Sequence, residues 1–251
     1  MSSEKSIAIV LRIVDFSETS VVATLFTETH GKISALAKGA RRPKGPFESA
    51  LDLLSVCRIV FIHKRSDALD LLTEAKLERR FRSATRDLSR LYAGYYVVEL
   101  LHDLTDTGDP HPDLFRVADQ TLYALDHGEK VPSAVLRFEL TTLRVLGLLP
   151  SLDRCVGCGT EVAKTRRVAF GQLAGGVLCA QCRPGQRQVV SVSADVLRAM
   201  RLFAAANGAG WQHAPLAPRV LGELRGVLNH YLANLLGHPP RMSKYLGTLT
   251  N

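Results

Sequence analysis

Several familiar sequence features are missing from this chain of 251 residues. The uninterrupted apolar runs are short, and none approaches the ~20 residues that a helix needs to cross a bilayer. The opening MSSEKS is polar and leads into a strand-like run instead of a hydrophobic signal segment. We therefore expect a cytoplasmic protein that has no membrane partner.

The chain also lacks the short motifs that mark common catalytic and nucleotide-binding sites. It contains no H-E-x-x-H, G-x-S-x-G or G-x-G-x-x-G pattern, and the Gly31-Lys32 pair lacks the flanking residues of a phosphate-binding loop. The eight histidines are scattered along the chain. We therefore expect no enzymatic turnover and no small-molecule substrate.

Acidic residues are scarce at the two ends of the chain. Lys and Arg outnumber Asp and Glu by 13 to 10 in residues 1–80 and by 12 to 4 in residues 151–251, whereas residues 81–150 hold 7 basic and 10 acidic residues. The net charge of +8 is therefore concentrated outside the middle of the chain. Basic segments of this kind favour a polyanionic partner. A solvated surface with incidental charge is the alternative.

The first 80 residues have the period-2 pattern of β-strands. Five segments rich in Val, Ile and Thr are separated by short polar breaks, and they are Ser6–Phe16, Ser20–Thr27, Lys32–Lys38, Leu51–Lys64 and Leu69–Glu78. Five strands in so short a stretch predict a small closed barrel of the OB type. Its aromatic residues are few, and the candidates for base stacking are Phe16, Phe26, Phe47 and Phe61. We expect most of them to be core.

The pattern changes to helical spacing from Glu78 onward. Further amphipathic helices are predicted over Asp113–His127, Pro132–Leu148, Val192–Asn207 and Pro218–Leu236. Ser193 is a suitable N-cap for the helix predicted over Val192–Asn207. The fold class is therefore α+β, with an N-terminal five-stranded OB-type barrel followed by an all-helical domain that carries a four-cysteine zinc-finger insertion. The predicted divisions are 1–80 for the barrel, 81–150 and 191–251 for the two helical parts, and 151–190 for the zinc module.

Two C-x-x-C pairs provide the strongest chemical signal. The ligand candidates are Cys155, Cys158, Cys179 and Cys182. In a cytosolic chain such pairs favour a metal site over disulfides, and two of them can hold one tetrahedral Zn²⁺. Four sulfur ligands would leave no open position, so we expect one structural zinc ion. A redox pair and an iron–sulfur cluster are the alternatives.

Clustered cations are the candidates for nucleic-acid contact. The Gly/Pro-punctuated loop after the third strand carries Lys38, Arg41, Arg42 and Lys44 without an acidic residue among them, and Lys32 can extend this patch. Such cations neutralise phosphates without reading bases. A second set, Arg79, Arg82 and Arg86 together with Arg90, is predicted to share one helix face. For this second set, a contact with phosphates and a solvated, salt-bridged surface are equally favoured alternatives.

Three stretches of the sequence resemble the RecO family of bacterial DNA repair proteins. Lys38–Lys44 followed by Leu51–Ile62 resembles the family's loop and strand, and Phe138–Pro150 with the adjoining Leu152–Gly159 resembles its helix and first cysteine pair. The segment His230–Arg241 resembles the family's C-terminal signature. The order of elements agrees over essentially the whole chain.

The resemblance implies a recombination mediator of the RecF pathway, associated with the nucleoid. Such proteins bind single- and double-stranded DNA, anneal complementary strands and act with RecR. They help to load RecA onto DNA coated by single-strand-binding protein, whose acidic C-terminal tail they also bind. Some members lack the four cysteines, which this chain has. A zinc-ribbon adaptor that binds mainly protein is the alternative function.

The resemblance also suggests a site for the acidic tail in the helical domain. Such a peptide needs apolar walls for its terminal side chain and cations for its carboxylates. The candidate residues are Arg137, Leu140 and Arg144 on one helix and Arg198 and Arg201 on the next. Alternatively, the leucines of this helix are ordinary core and the arginines are ordinary surface.

Overall fold

The structure is a computed structural model that describes residues 3–43, 45–47, 50–64, 68–163, 165–206, 210–212, 214 and 216–246. The chain divides into two compact units, Met1–Val131 and Pro132–Asn251. Strands and helices of the first unit are β1 (Ser3–Asp15), β2 (Val21–Thr27), β3 (Gly31–Ala37), β4 (Val56–Ile62), β5 (Asp70–Arg79), α1 (Leu88–Leu104) and α2 (Pro112–Asp126). The remaining elements are α3 (Val131–Val145), β6 (Arg167–Gly171), β7 (Gly176–Leu178), β8 (Val189–Ser193), α4 (Ala194–Ala204), α5 (Pro218–Leu236) and α6 (Ser243–Leu246).

The predicted five-stranded N-terminal sheet is confirmed, and it closes into a barrel. The strand order is β1-β2-β3-β5-β4, with β4 pairing back to β1. All neighbours are antiparallel except β3 and β5, which run parallel. Alternate residues point inward, as the strict buried and half-buried alternation of β3 illustrates. Small residues such as Ala23 and Ala35 leave room in the interior for Ile59 and Phe61.

Helices α1 and α2 complete the first unit by packing on the barrel. Phe115 of α2 stacks on Phe26 of β2, with ring centroids 6.3 Å apart. The loop after α1 approaches the β2–β3 turn so closely that a Cβ on Gly31 would lie 2.2 Å from the Asp109 carbonyl oxygen. Gly31 also has a φ of +66°, so glycine is required at this position on both grounds.

The prediction that helical structure begins at Glu78 is wrong. Strand β5 continues to Arg79, a 3-10 turn follows over Arg82–Thr85, and α1 begins only at Leu88. Asp87 is the N-cap, and its side chain accepts hydrogen bonds from the backbone N–H groups of Ser89 and Arg90. The arginines between β5 and α1 therefore do not share a helix face.

The second unit is built around α3, most of whose side chains are buried. Glu139 is fully buried there, and both of its carboxylate oxygens accept hydrogen bonds from Arg225 of α5, each 2.7 Å long. The predicted N-cap of α4 is confirmed, since the Ser193 side chain accepts a hydrogen bond from the Val196 N–H.

The sheet of the second unit was not predicted. Strands β6 to β8 form a three-stranded antiparallel sheet in the order β7-β6-β8. They contain only three to five residues each and lie in a Gly- and Cys-rich segment, so they are too short to produce a readable alternation. The four-part division of the chain stays a prediction. Among the helices within the described ranges, none combines the length and apolar character needed to cross a membrane.

Candidate metal centre and nucleic-acid interface

The four predicted cysteine ligands lie together. The sulfur atoms of Cys155, Cys158, Cys179 and Cys182 are all within 4.8 Å of one another. The Sγ atoms of Cys158 and Cys179 are 3.8 Å apart. Sulfurs bound to one tetrahedral Zn²⁺ at ~2.3 Å are separated by about 3.8 Å. The cluster therefore has the size and donor set of a single four-coordinate metal site.

Backbone turns position these sulfurs. In the first turn the Gly159 N–H donates to the Cys155 carbonyl at 2.8 Å, and Gly159 has a φ of +73°, a conformation that favours glycine. Gly157 was missed by the sequence analysis. A Cβ at that position would lie 3.0 Å from Cys182 Sγ, so a side chain there would press on a ligand of the other pair.

Hydrogen bonds lower the pKa of both thiols of the first pair. The backbone N–H of Cys179 is the main cause that lowers the pKa of the Cys155 thiol to about 6, with help from the N–H groups of Gly157 and Cys158. The Thr160 hydroxyl lies 3.0 Å from Cys158 Sγ and lowers the pKa of that thiol. This makes Thr160 a further residue of the site, for which the sequence offered no signal beyond adjacency.

The fourth thiol experiences the opposite effect. The neighbouring thiols, Cys179 first, raise the pKa of Cys182 to about 12, because their hydrogen bonds with Cys182 favour its protonated form. A divalent cation among the sulfurs would instead favour the thiolate form. Arg154, next to the first ligand, lies against the turn and donates to the Gly159 carbonyl at 3.2 Å. The donor set therefore suits a thiophilic dication such as Zn²⁺.

The basic loop lies at one rim of the barrel, against the β1–β2 turn. The Arg41 N–H donates to the Thr19 carbonyl, and the Gly39 N–H donates to the Ser20 hydroxyl. Lys38 and Arg42 are exposed and have no side-chain partner among the described residues, whereas Arg41 is paired with Asp15. Lys44 lies outside the described residues. The loop thus presents cations that can meet phosphates, together with one that is already paired.

An exposed phenylalanine stands beside this loop. Phe16 is 63% exposed, whereas Phe26, Phe47 and Phe61 are core as expected. The Phe16 N–H donates to the Ser20 carbonyl, and Phe16 and Lys38 each lie two residues beyond an outward-facing residue, Val14 and Leu36 respectively. Phe16 and Lys38 therefore extend the outer face of the β1–β2–β3 sheet. This face also carries half-exposed apolar residues, Val14, Val22 and Leu36.

Lys32, predicted to extend the basic patch, has a different role. Its Nζ donates to the backbone carbonyls of His102 and Thr105 at the end of α1. A lysine at this position satisfies carbonyl groups that the helix leaves unpaired. Burial lowers the pKa of Lys32. We therefore remove it from the set of phosphate contacts.

The second arginine set is also divided by the structure. Arg79 donates to the carboxylate and the carbonyl of Asp119, and Arg90 pairs with Asp87 at 3.1 Å. These two arginines join elements of the first unit. Arg82 and Arg86 are exposed and have no side-chain partner in the described part of the chain. Of the four arginines that were predicted to share a helix face, only these two stay available for a ligand.

The residues predicted to bind an acidic tail do not form one site. Leu140 is fully buried, so its predicted role as an accessible apolar wall is wrong. Arg137 donates to the carbonyls of Phe203 and Ala205, both at 2.6 Å, where α4 ends, and its guanidinium lies 5.9 Å from the Trp211 ring centroid. Burial, and then the nearby charge of Arg144, lower the pKa of Arg137.

Arg144 itself has an unusual environment. Its Nε atom is buried without a hydrogen-bond partner among the described residues. Such a group is costly unless an acceptor reaches it. Arg137 and Arg144 therefore form a pair of neighbouring cations with capacity for an anionic group.

Arg198 and Arg201 lie on a different surface. They line a cavity of about 460 Å³ whose apolar walls include Leu152, Val162, Val168, Val177 and Leu197. Arg201 Nε pairs with Asp153 at 2.8 Å, and Arg198 pairs with Asp195. Both cations are thus already compensated by acidic residues.

Comparisons with known proteins agree with one another along the chain. The family model described as Recombination protein O N terminal matches residues 1–81, and the model described as Recombination protein O C terminal matches residues 85–244. A DNA repair protein RecO of Rhodopirellula baltica is 45% identical, and the alignment covers 95% of this chain and 97% of the relative. The DNA repair protein RecO of Myxococcus xanthus is 36% identical, with 92% of this chain and 91% of the relative covered.

Proposed function

Because the chain belongs to the RecO family of DNA repair proteins, we propose that it is a DNA-binding mediator of recombinational repair. In this proposal it binds single- and double-stranded DNA and anneals complementary strands without catalytic turnover. With RecR it helps to load RecA onto DNA coated by single-strand-binding protein. The observation that carries the proposal is the basic rim loop beside an exposed aromatic ring on the outer face of the barrel.

We treat the barrel as an OB fold, in which oligonucleotides bind the face of strands 2 and 3 and the loops between strands 1 and 2 and between strands 4 and 5. The rim loop follows β3 and is bonded to the β1–β2 turn, so it lies beside the first of these loops. Lys38 and Arg42 would neutralise phosphates, and Phe16 would stack on a base, as aromatic rings do in proteins that bind single strands without sequence preference. The half-exposed Val14, Val22 and Leu36 provide apolar contact along the same face.

Neutralising the two unpaired rim cations tests this surface. We expect Lys38→Ala with Arg42→Ala to weaken binding to all oligonucleotides about equally, because phosphate contacts carry no sequence information. The slope of log affinity against log salt should fall by roughly 0.7 per lost contact on single strands. Fluorescence anisotropy titrations at several salt concentrations measure this slope.

The control removes the same amount of charge elsewhere on the first unit. Arg58→Ala with Arg116→Ala deletes two exposed arginines that are each paired with an acidic residue, and it should leave the slope near that of the unchanged protein. Equal slopes for the two double variants would contradict the assignment of the rim loop.

We propose that the cysteine site holds one structural zinc ion. The donor set favours zinc, since thiolates select thiophilic metals and four sulfurs leave no position for substrate. The ion would hold the two cysteine turns together, and the small sheet β7-β6-β8 would depend on it for stability.

We propose that the acidic tail of single-strand-binding protein binds at Arg144. The Nε atom of Arg144 is buried and has no hydrogen-bond partner in the described part of the chain. Arg198 and Arg201 are already paired with acidic residues, so they have less capacity for a further carboxylate. Arg144→Gln should weaken binding of a labelled tail peptide by about tenfold, the scale of one lost charge-assisted hydrogen bond. Arg198→Gln should have little effect. Anisotropy measurements in which Arg198→Gln lowers affinity and Arg144→Gln does not would move the site to the cavity beside α4.

A further inference from the structure

A stacked pair of exposed rings lies at the C-terminal end of α2. The Tyr123 and His127 ring centroids are 3.8 Å apart, and the ring planes differ by 18°. Tyr123 is 49% exposed, and His127 is also exposed. Neither ring contributes to the buried core of the first unit. The pair is therefore a stacked aromatic surface that faces solvent.

The tyrosine ring is held in place by a cation. The Arg79 guanidinium lies 5.4 Å from the centroid of the Tyr123 ring, within the range of a cation–π contact. Arg79 is fixed in turn by its bonds to the carboxylate and carbonyl of Asp119. The orientation of Tyr123 is thus set by the strand β5 and not only by its own helix.

Two unpaired cations lie on the turn that packs against this end of α2. The Ser83 N–H donates to Asp126 Oδ1 at 2.6 Å, which attaches the turn between β5 and α1 to the residue next to His127. Arg82 and Arg86 on that turn are exposed and have no side-chain partner within the described ranges. The acidic residues that face the turn already have donors: Asp119 has Arg79, and Asp126 has Ser83.

We propose that this surface, defined by Tyr123, His127, Arg82 and Arg86, is a second contact for single-stranded DNA. An unpaired base joins the ring stack on its solvent side, and the two arginines meet the adjacent phosphates. This inference rests on the proposed DNA binding and adds a contact outside the rim loop. A duplex hides its base faces, so the ring stack discriminates in favour of unpaired strands.

The strand β5 connects the two contacts. The Ala75 N–H donates to the carbonyl of Pro46, which ends the basic loop, and Arg79 is four residues further along the same strand. Four residues of extended chain span about 13 Å. A single strand that leaves the rim loop therefore needs only a few nucleotides to reach the ring stack.

Tyr123→Ala tests the proposal, with Tyr123→Phe as the matched control that keeps the ring. We expect Tyr123→Ala to lower the affinity for an oligo(dT) strand by at least about fivefold, because stacking of one base is worth about 1–3 kcal/mol. The affinity for a blunt duplex should be unchanged, and Tyr123→Phe should behave like the parent protein. Arg82→Gln with Arg86→Gln should lower the salt slope on oligo(dT).

Several results would overturn this inference. An unchanged oligo(dT) affinity in a Tyr123→Ala protein with the parent melting temperature would do so. An equal loss on duplex and single strand, or a loss confined to the binding of an acidic peptide, would also do so. These outcomes are distinguishable from failure of the proposed function, in which the parent protein itself would bind neither DNA. Should Tyr123→Ala fail to fold, His127→Ala provides the same comparison.

Discussion

Replacing Cys155 or Cys179 by Ser is expected to release the bound metal and to unfold the segment that contains β6, β7 and β8. Structural zinc stabilises small zinc modules by roughly 10–16 kcal/mol, a contribution that is lost when one of the four ligands is removed. Of the four cysteines only Cys155 is buried. Metal analysis of the purified protein should give close to one zinc per chain, and both variants should give much less.

Cys57→Ala is the matched control for this experiment. Cys57 is buried in the barrel, and its Sγ donates to the Ala50 carbonyl at 2.8 Å, so it takes no part in the cluster. The Cys57→Ala protein should keep its metal. A preparation of the parent protein that is fully folded and free of metal would refute the structural role of zinc.

Arg225→Met is expected to cost about 3–5 kcal/mol of unfolding free energy, because it removes the guanidinium that compensates the charge of a buried carboxylate. Glu139 is fully buried, and Arg225 donates to both of its oxygens at 2.7 Å. Urea unfolding followed by circular dichroism measures the loss. The exposed pair of Arg198 and Asp195 is the comparison, since Arg198→Met should cost less than about 1 kcal/mol.

A double variant separates the ion pair from simple packing. With Glu139→Leu added to Arg225→Met, both charges are replaced by apolar groups, and much of the lost stability should return. If the double variant is no more stable than Arg225→Met alone, the destabilisation comes from lost packing around Arg225 and not from loss of the ion pair.

The barrel could be predicted from the sequence because each strand has an apolar inner row at every second residue and short polar breaks separate the strands. β3 shows this most clearly, with every second residue buried. The cysteine cluster could be predicted because two C-x-x-C pairs restrict the possible chemistry to very few options. The start of α1 could not be placed, since the arginines before Leu88 have a spacing that also fits a helix.

What the sequence did not provide is the partner of each cation. Lys32 and Arg79 belong to the same basic segments as Lys38 and Arg82, yet the first two bind groups of the protein and the last two do not. These pairings join residues about 40 to 70 positions apart, so no local pattern contains them. The same holds for Phe16, whose exposure depends on where β1 ends and not on its residue type.

Annealing of complementary oligonucleotides coated with single-strand-binding protein tests the central claim most directly. The parent protein should accelerate the appearance of duplex, and a variant with Phe16→Ala, Lys38→Ala and Arg42→Ala should lose most of this acceleration, while Arg58→Ala with Arg116→Ala should retain it. Absence of acceleration by the folded, metal-loaded parent protein would contradict the account and favour a zinc-containing adaptor that binds mainly protein.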